Sequence, residues 1–336
     1  MSIFKKKLNV LVLGSDGMLG YDVYNELLKE SYSQASKINK VIGLEKCDVE
    51  KYFMSHDYID TFNFFSTHEH FDYVINCVAM TDTNAAENTK EGRDLSYKLN
   101  VIFPQKLAET CKCFKTKLIH ISTDYVFSEK SYGYVQGFYA GLAEPFPVNI
   151  YGTHKLLGEM YIKNTMEPKT YVILRTSWLY GEHNKKSFVH KFITNAYKCM
   201  EENRNIEVTE NEYSVPTSTQ AVVDYITKVL YNSDYGINGI IHAVNQSENA
   251  VSRLDFAKTI AKIYNEIINE YKLEIKLIDR DKIVGVKRES KLQPTNSYMR
   301  TQDKYCAFPW EVDLKIFLKK ILLNNMENTW WEKELF

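Results

Sequence analysis

An open, doubly wound parallel α/β sheet carrying a smaller C-terminal lobe is the fold that this 336-residue sequence predicts. Three observations lead there. The apolar run Leu8–Leu13 (L-N-V-L-V-L) stops at a glycine turn, G-S-D-G-M-L-G, which runs into a helical stretch over 21–30. Short apolar runs then alternate with helical stretches for more than ~150 residues, the pattern of parallel strands joined by helical crossovers. Separate motifs fall just past the ends of several of these runs, at Gly14, 77–79, 122–124 and 176–178. That is the rim on which an open α/β sheet binds its ligands.

The elements follow in order. Leu8–Leu13 is rich in branched residues and reads as the first strand. In the turn after it, Gly14 allows a tight bend, Gly17 a close approach of backbone to a pyrophosphate, and Gly20 close packing of helix on strand. The amides of Gly17, Met18 and Leu19 would then face phosphates at a helix N-terminus. Strand, glycine turn and helix are together the context of a Rossmann-type dinucleotide site, although the spacing is G-x-x-G-x-x-G rather than G-x-G-x-x-G. A second strand over 40–44 ends at Glu45, whose carboxylate would bind a ribose 2′-hydroxyl and repel a 2′-phosphate. Lys46 would pair with that phosphate instead, and Asp48 and Val49 lie nearer the adenine. Use of both cofactors is expected, with NADPH preferred by less than about tenfold, ~1.4 kcal/mol. Further strands are predicted over 73–78, 117–121 and 171–175, with helices over 96–113 and 151–164 between them.

The helix over 151–164 opens with Y-G-T-H-K. Tyr151 and Lys155 stand at i and i+4, one turn apart on one face. A free phenol titrates near ~10, too weak an acid for proton transfer at neutral pH. An ammonium ~4 Å away contributes about 4 kcal/mol at an effective dielectric of ~20, enough to move the phenol toward ~7 before desolvation is counted. The reaction rate would then fall as pH rises through that lowered value. A Y-x-x-x-K pair alone is commonly a surface tyrosine beside a solvated lysine. Its meaning here comes from the glycine turn and the alternating strands around it.

Taken in order, the glycine turn, N-C-V-A-M-T-D, S-T-D-Y-V-F, Y-G-T-H-K and L-R-T-S-W-L-Y-G resemble an extended short-chain dehydrogenase/reductase of the dTDP-4-dehydrorhamnose reductase (RmlD) family. The similarity runs from about residue 8 to about residue 305. It implies a catalytic set of Thr123, Tyr151 and Lys155, sugar contacts from Thr123, Asp124 and Trp178, and a cofactor groove lined by Cys77, Val78, Ala79 and Ile121. It also implies NAD(P)H-dependent reduction of the C4 ketone of a nucleotide-linked 4-keto-6-deoxy sugar. Tyr151 would protonate the alkoxide, Lys155 would hold the nicotinamide ribose, and the Thr123 hydroxyl would bond the carbonyl oxygen.

The sequence departs from the family where the sugar pocket is shaped. The acidic pattern expected before the tyrosine reads Y-A-G-L-A-E-P-F-P, with Gly141 and Ala143 in place of acids. The later patterns become N-E-Y-S-V-P-T and Q-P-T-N-S, with Gln293 where an arginine is usual. Two alternatives to the reductase stand. One is a combined UDP-sugar 3,5-epimerase/4-reductase, for which Cys77, Lys98 or His154 would supply acid/base chemistry. The other is a non-catalytic regulatory subunit like the β subunit of methionine adenosyltransferase.

Composition sets the remaining bounds. The net charge of −1 gives no electrostatic footprint for nucleic acid. No apolar run reaches transmembrane length and no secretory apolar region precedes the first strand, so a cytoplasmic protein without membrane partners is expected. The six cysteines (47, 77, 111, 113, 199, 306) show no C-x-x-C spacing, which fits a reducing compartment without disulfides or zinc. His68, Glu69 and His70 are too close in sequence to converge on a metal from a helix, and no metal site is expected. Residues 1–180 are assigned to the dinucleotide-binding domain, with 217–245 returning to its sheet through a strand over 239–244. Residues 181–215 and 246–336 form the substrate lobe, with helices over 185–199 and 254–271 and a strand over 273–278. Trp310, Trp330 and Trp331 read as anchors of a C-terminal helix. The oligomeric state is left open, a homodimer included.

Overall fold

The computed structural model describes residues 7–54, 59–131, 137–140, 142–183, 185–232, 239–287, 293–301 and 308–323. Its centre is a six-stranded sheet of β1 (Leu8–Leu13), β2 (Ile38–Leu44), β3 (Tyr73–Asn76), β4 (Lys117–Thr123), β5 (Tyr171–Thr176) and β6 (Ile240–His242). The strands lie in the order β2-β1-β3-β4-β5-β6 and every pairing is parallel. The order reverses between β1 and β3, which creates a crevice at their carboxyl ends.

The first strand is apolar on both sides because both sides are covered. Val10 and Val12 enter one core with Val23, Leu27 and the helix Thr219–Tyr231, whereas Leu11 and Leu13 enter the opposite core with Phe53, Phe64, Phe103 and Leu107. A third core lies outside the sheet. It is built from Val189, Ile193, Phe256, Ile260, Tyr264 and Phe317, on the helices Phe188–Glu201, Arg253–Tyr271 and Trp310–Leu323. Trp310 is buried at the start of the last helix and packs edge-on against Phe256, while Trp330 and Trp331 lie outside the described residues.

Three elements differ from the sequence reading. The third strand ends at Asn76 because the Asn76 side chain takes the Val78 N–H (3.0 Å), removing it from the ladder. The stretch over 96–113 is split into Lys90–Tyr97, a π-helical turn Lys98–Ile102 and Phe103–Phe114. Asn100, in the π turn, exchanges hydrogen bonds with both backbone groups of Met80 (3.1 and 2.9 Å), which holds the helix to the loop after β3. The strand expected over 273–278 does not form. The Asn265 amide accepts from the Ile278 N–H and donates to the Ile278 carbonyl (both 2.8 Å), occupying the groups that a ladder would need. Strands that do pair in this part of the chain are Ile283–Val286, parallel to Ile206–Thr209, and Val251–Ser252, antiparallel to Tyr213–Ser214.

Candidate active site

The crevice at the switch point gathers most of the singled-out residues. Gly14 has φ 78°, in the left-handed region that glycine enters freely, and the turn brings it against Cys77 and Val78. A Cβ on Gly20 would come within 2.0 Å of the Gly14 carbonyl oxygen, so the helix Met18–Ser31 can pack this closely only on glycine. Gly17 is its N-cap and no side chain caps the first turn. The chain thus presents a helix N-terminus toward the crevice, which suits a pyrophosphate. Met18 and Leu19 sit in that first turn, and Cys77 is tied to β1 by its N–H bond to the Leu13 carbonyl (3.1 Å).

At the end of β2, Glu45 stands at the N-cap of the helix Lys46–Phe53. Its N–H is accepted by Asp48 (3.4 Å), and Asp16 of the glycine turn accepts the Lys46 N–H (3.1 Å). Val49 is 2% exposed. Its side chain is buried under the sheet with Phe53 and Leu44, because helix periodicity turns it inward. The Lys46 side chain is 80% exposed and reaches Glu50 (3.8 Å), which leaves its ammonium available at this corner.

Tyr151 and Lys155 lie one turn apart on the helix Ile150–Thr165, which Asn149 caps by accepting the Gly152 N–H (2.7 Å). Both side chains are buried, as is Thr123 at the end of β4. Thr123 stands beside the Tyr151 phenol, near enough to lower its pKa, while its own hydroxyl proton goes to Asp124 (3.2 Å), so the two hydroxyls face one stretch of the rim. The electrostatics differ from the sequence expectation. Lys155 does not lower the tyrosine: its nitrogen turns away to donate to the Ile121 carbonyl (2.7 Å) and to meet His120 Nε2 (3.3 Å). Burial pushes Tyr151 up to about 12 and outweighs the lowering influence of Thr123 beside it. Burial also pulls Lys155 down to about 8, against the opposing pull of Glu159 and Cys77.

Asp124 and Trp178 are both engaged by neighbouring side chains. Asp124 is 2% exposed, and its Oδ2 accepts from Ser214 (2.7 Å) and Ser297 (2.6 Å) while Oδ1 accepts from Thr123 (3.2 Å). Through these bonds Asp124 joins the end of β4 to the two departing motifs, N-E-Y-S and Q-P-T-N-S. Desolvation raises its carboxyl above the usual range even so. Trp178 adopts φ 40° and carries the Arg253 guanidinium 3.4 Å above its ring. Phe256 stacks near it (6.1 Å), so much of the expected apolar face is covered. Arg253 also lies over Phe188 (4.7 Å) and pairs with Glu212 (3.6 Å). Beside it opens a cleft of about 500 Å³ lined by Tyr125, Phe188, Lys191, Phe192, Glu212 and Arg253. Ala143 is buried against Phe127 and Phe138, and Gly141 lies outside the described residues.

The residues considered for epimerisation do not form an acid/base pair. Burial pushes the Cys77 thiol up to about 12, His154 is bonded to Ser96 (3.0 Å), and Lys98 is exposed. Elsewhere, His68 faces the Phe64 carbonyl through Nδ1 (2.7 Å) and Glu69 pairs with Lys40 (3.7 Å).

Four residues escaped sequence reasoning. Glu159 receives a bidentate grip from Arg175 (3.0 and 2.6 Å) and a bond from Ser122 (2.5 Å), all buried. Asn76 and His120 form a buried row behind Lys155. A signal was present for two of them: Arg175 and His120 interrupt the apolar runs Y-V-I-L-R-T and K-L-I-H-I-S-T, and a polar group inside a buried strand needs a partner.

Sheet order, glycine turn and the helix carrying Tyr151 and Lys155 define the chain as a Rossmann-type α/β protein. More particularly, the family model described as the RmlD substrate binding domain matches residues 8–322, and the chain belongs to that family. Among characterised proteins it is 32% identical over 192 residues to dTDP-4-dehydrorhamnose reductase of Mycobacterium tuberculosis (strain CDC 1551 / Oshkosh), covering 57% of this chain and 59% of that one. It therefore matches less than two thirds of that relative. To the probable low-salt glycan biosynthesis reductase Agl14 of Haloferax volcanii it is 28% identical over 254 residues, 75% of this chain and 79% of that one. The crystal structure of dTDP-4-dehydrorhamnose reductase from Bacillus anthracis in complex with NADP superposes with a TM-score of 0.71 at 25% identity, covering 93% of this chain and 98% of that one. Among the described residues no helix is long and apolar enough to cross a membrane.

Proposed function

We propose that this protein is an NAD(P)H-dependent reductase of the C4 ketone of a nucleotide-linked 4-keto-6-deoxy sugar, with NADPH as the main cofactor and NADH also accepted. The observation that carries the reading is that the Tyr151 and Thr123 hydroxyls face the rim where the glycine turn also opens. Gly14, Gly17, Met18, Leu19 and Gly20 hold the pyrophosphate. Cys77, Val78, Ala79 and Ile121 line the groove, and Glu45, Lys46 and Asp48 meet the ribose at its far end. When bound, the cofactor supplies hydride to C4.

The remaining work falls to the chain's own residues. Thr123 donates to the carbonyl oxygen, stabilising charge that grows as the hydride arrives. Tyr151 gives that oxygen its proton. At about 12 the phenol keeps its proton throughout the neutral range, yet an alkoxide is basic enough to take it. Lys155 as ammonium, turned from Ile121 toward the groove, holds ribose and lowers the cost of the phenolate left behind. The nucleotide enters the cleft beside Arg253, where the guanidinium and Lys191 suit a diphosphate. Asp124 and Trp178 shape this pocket, Asp124 by clamping the lobes and Trp178 by seating Arg253. The cysteines described are all free thiols, consistent with a cytoplasmic enzyme. The test is a small panel of dTDP- and UDP-linked 4-keto-6-deoxy sugars, assayed for NADPH oxidation. Turnover of at least one is expected, and none turning over would favour a binding protein without catalysis.

A further inference from the structure

Behind Lys155 lies a polar row that the reaction, as described, does not use. Asn76 and His120 are register partners on β3 and β4, and both are 0% exposed. The directions of their hydrogen bonds follow without any hydrogen being seen. The Val78 N–H can only donate, so the Asn76 atom it meets at 3.0 Å is the carbonyl oxygen. The other end of the amide, Nδ2, can also only donate, and it lies 3.0 Å from His120 Nδ1. Nδ1 must therefore accept, and the single proton of a neutral imidazole sits on Nε2. That Nε2–H points at Lys155 Nζ, 3.3 Å away. An ammonium has three donors and no lone pair, so it would meet a donor with a donor. An uncharged amine satisfies the whole row, accepting from Nε2–H and donating to the Ile121 carbonyl (2.7 Å).

We propose that Asn76 and His120 are positioning residues that favour the uncharged amine of Lys155 in the ligand-free protein, so that, wherever that amine is populated, filling the groove with cofactor is coupled to uptake of a proton by Lys155. The proton comes from solvent, takes the amine lone pair and breaks the bond from His120. The purpose rests on the reductase reading; the hydrogen-bond row does not. The groups facing Lys155 agree. Burial holds His120 well below its ordinary value, which keeps the imidazole neutral. Cys77, past β3, stays a thiol, and Tyr151 on the same helix stays a phenol. The Glu159 carboxylate, which pulls the other way, is engaged by Arg175 on β5 and by Ser122.

The experiment is NMR on the full chain without ligand, followed by calorimetry with NADPH. In ¹⁵N-histidine protein, His120 should appear as the Nε2–H tautomer, and in ¹³C-lysine protein the Lys155 ε-carbon should titrate near 8. Asn76→Asp should reverse the row. Its carboxylate accepts from both Val78 N–H and His120 Nδ1–H, Nε2 becomes an acceptor, and the Lys155 midpoint rises by at least ~1 unit, a tenfold gain in proton affinity. Above the wild-type midpoint, NADPH binding in buffers of different ionisation heat should take up about one proton in wild type and much less in Asn76→Asp. An Nδ1–H tautomer in wild type, or a midpoint unmoved by Asn76→Asp, would overturn the positioning role. NADPH binding without proton uptake would overturn the coupling. Failure to bind NADPH at all would overturn the reductase reading and the coupling with it, while the tautomer and titration would still judge the row.

Discussion

Glu159→Gln tests the buried charge pair beneath the active-site helix. Glu159 is 1% exposed and Arg175 3%, and the carboxylate accepts from Arg175 Nε (3.0 Å), Arg175 Nη2 (2.6 Å) and Ser122 (2.5 Å). The amide nearly matches the carboxylate in shape but carries no charge, and one of its ends donates. It leaves the guanidinium buried without a counter-charge. Breaking such a pair from one side costs about 3–5 kcal/mol. An unfolding entropy of about 2.1 cal/mol/K per residue over the whole chain gives ~0.7 kcal/mol per degree, so Tm should fall by ~4–7 °C. Replacing both partners, Glu159→Leu with Arg175→Met, should recover most of the loss, because both desolvation costs disappear together. Calorimetry and urea denaturation read the two variants. Glu159→Gln within ~1 kcal/mol of wild type would show that the buried pair is not the bond described here. Because Glu159 pulls Lys155 upward, the variant's lysine should also titrate below its wild-type midpoint near 8.

Other consequences can be measured on the same protein. Asp124→Ala strands the Ser214 and Ser297 hydroxyls and should cost about 1–3 kcal/mol in urea melts. Asp124→Asn keeps the shape but turns one accepting end into a donor, so it should cost less than Asp124→Ala, and because burial raises the wild-type carboxyl its gap from wild type should narrow as pH rises through the folded value; equal losses in both variants would contradict this. Trp178→Ala should release Arg253 and raise KM for the sugar nucleotide by roughly tenfold, about 1.4 kcal/mol, with NADPH affinity by fluorescence titration unchanged. Parallel loss of cofactor binding would show a general role in the fold. As for pH, Tyr151 at about 12 and needed protonated should impose no falling limb near neutrality. Lys155, needed as ammonium, should make kcat/KM for NADPH fall as pH rises through about 8, and Asn76→Asp should move that limb upward.

Much of the fold was legible because it is written in local patterns. The six sheet strands follow from short apolar runs, and the glycine turn follows from spacing. The missing strand over 273–278 shows the limit: one amide, Asn265, captured Ile278 from thirteen residues away, which no periodicity records. The tyrosine–lysine spacing placed both residues on one helix face, as read. Their ionisation was misjudged, because a Coulomb estimate at helix spacing assumed that Lys155 points at Tyr151. The fold supplies better acceptors at Ile121 and His120, and burial then dominates both groups. Asp124 was read outward for a similar reason, since Ser214 and Ser297 lie 90 and 173 residues along the chain and meet it only after folding.

Tyr151→Phe is the most direct test of the chemistry. It removes one hydroxyl beside Thr123 and leaves the ring packed against Tyr125. With the best sugar nucleotide of the panel, turnover should fall by about 10²- to 10⁴-fold, the usual worth of a general acid. Thermal stability and NADPH affinity should stay at wild-type values. A Tyr151→Phe protein that reduces the same substrate as fast as wild type would contradict the assignment of Tyr151 as proton donor.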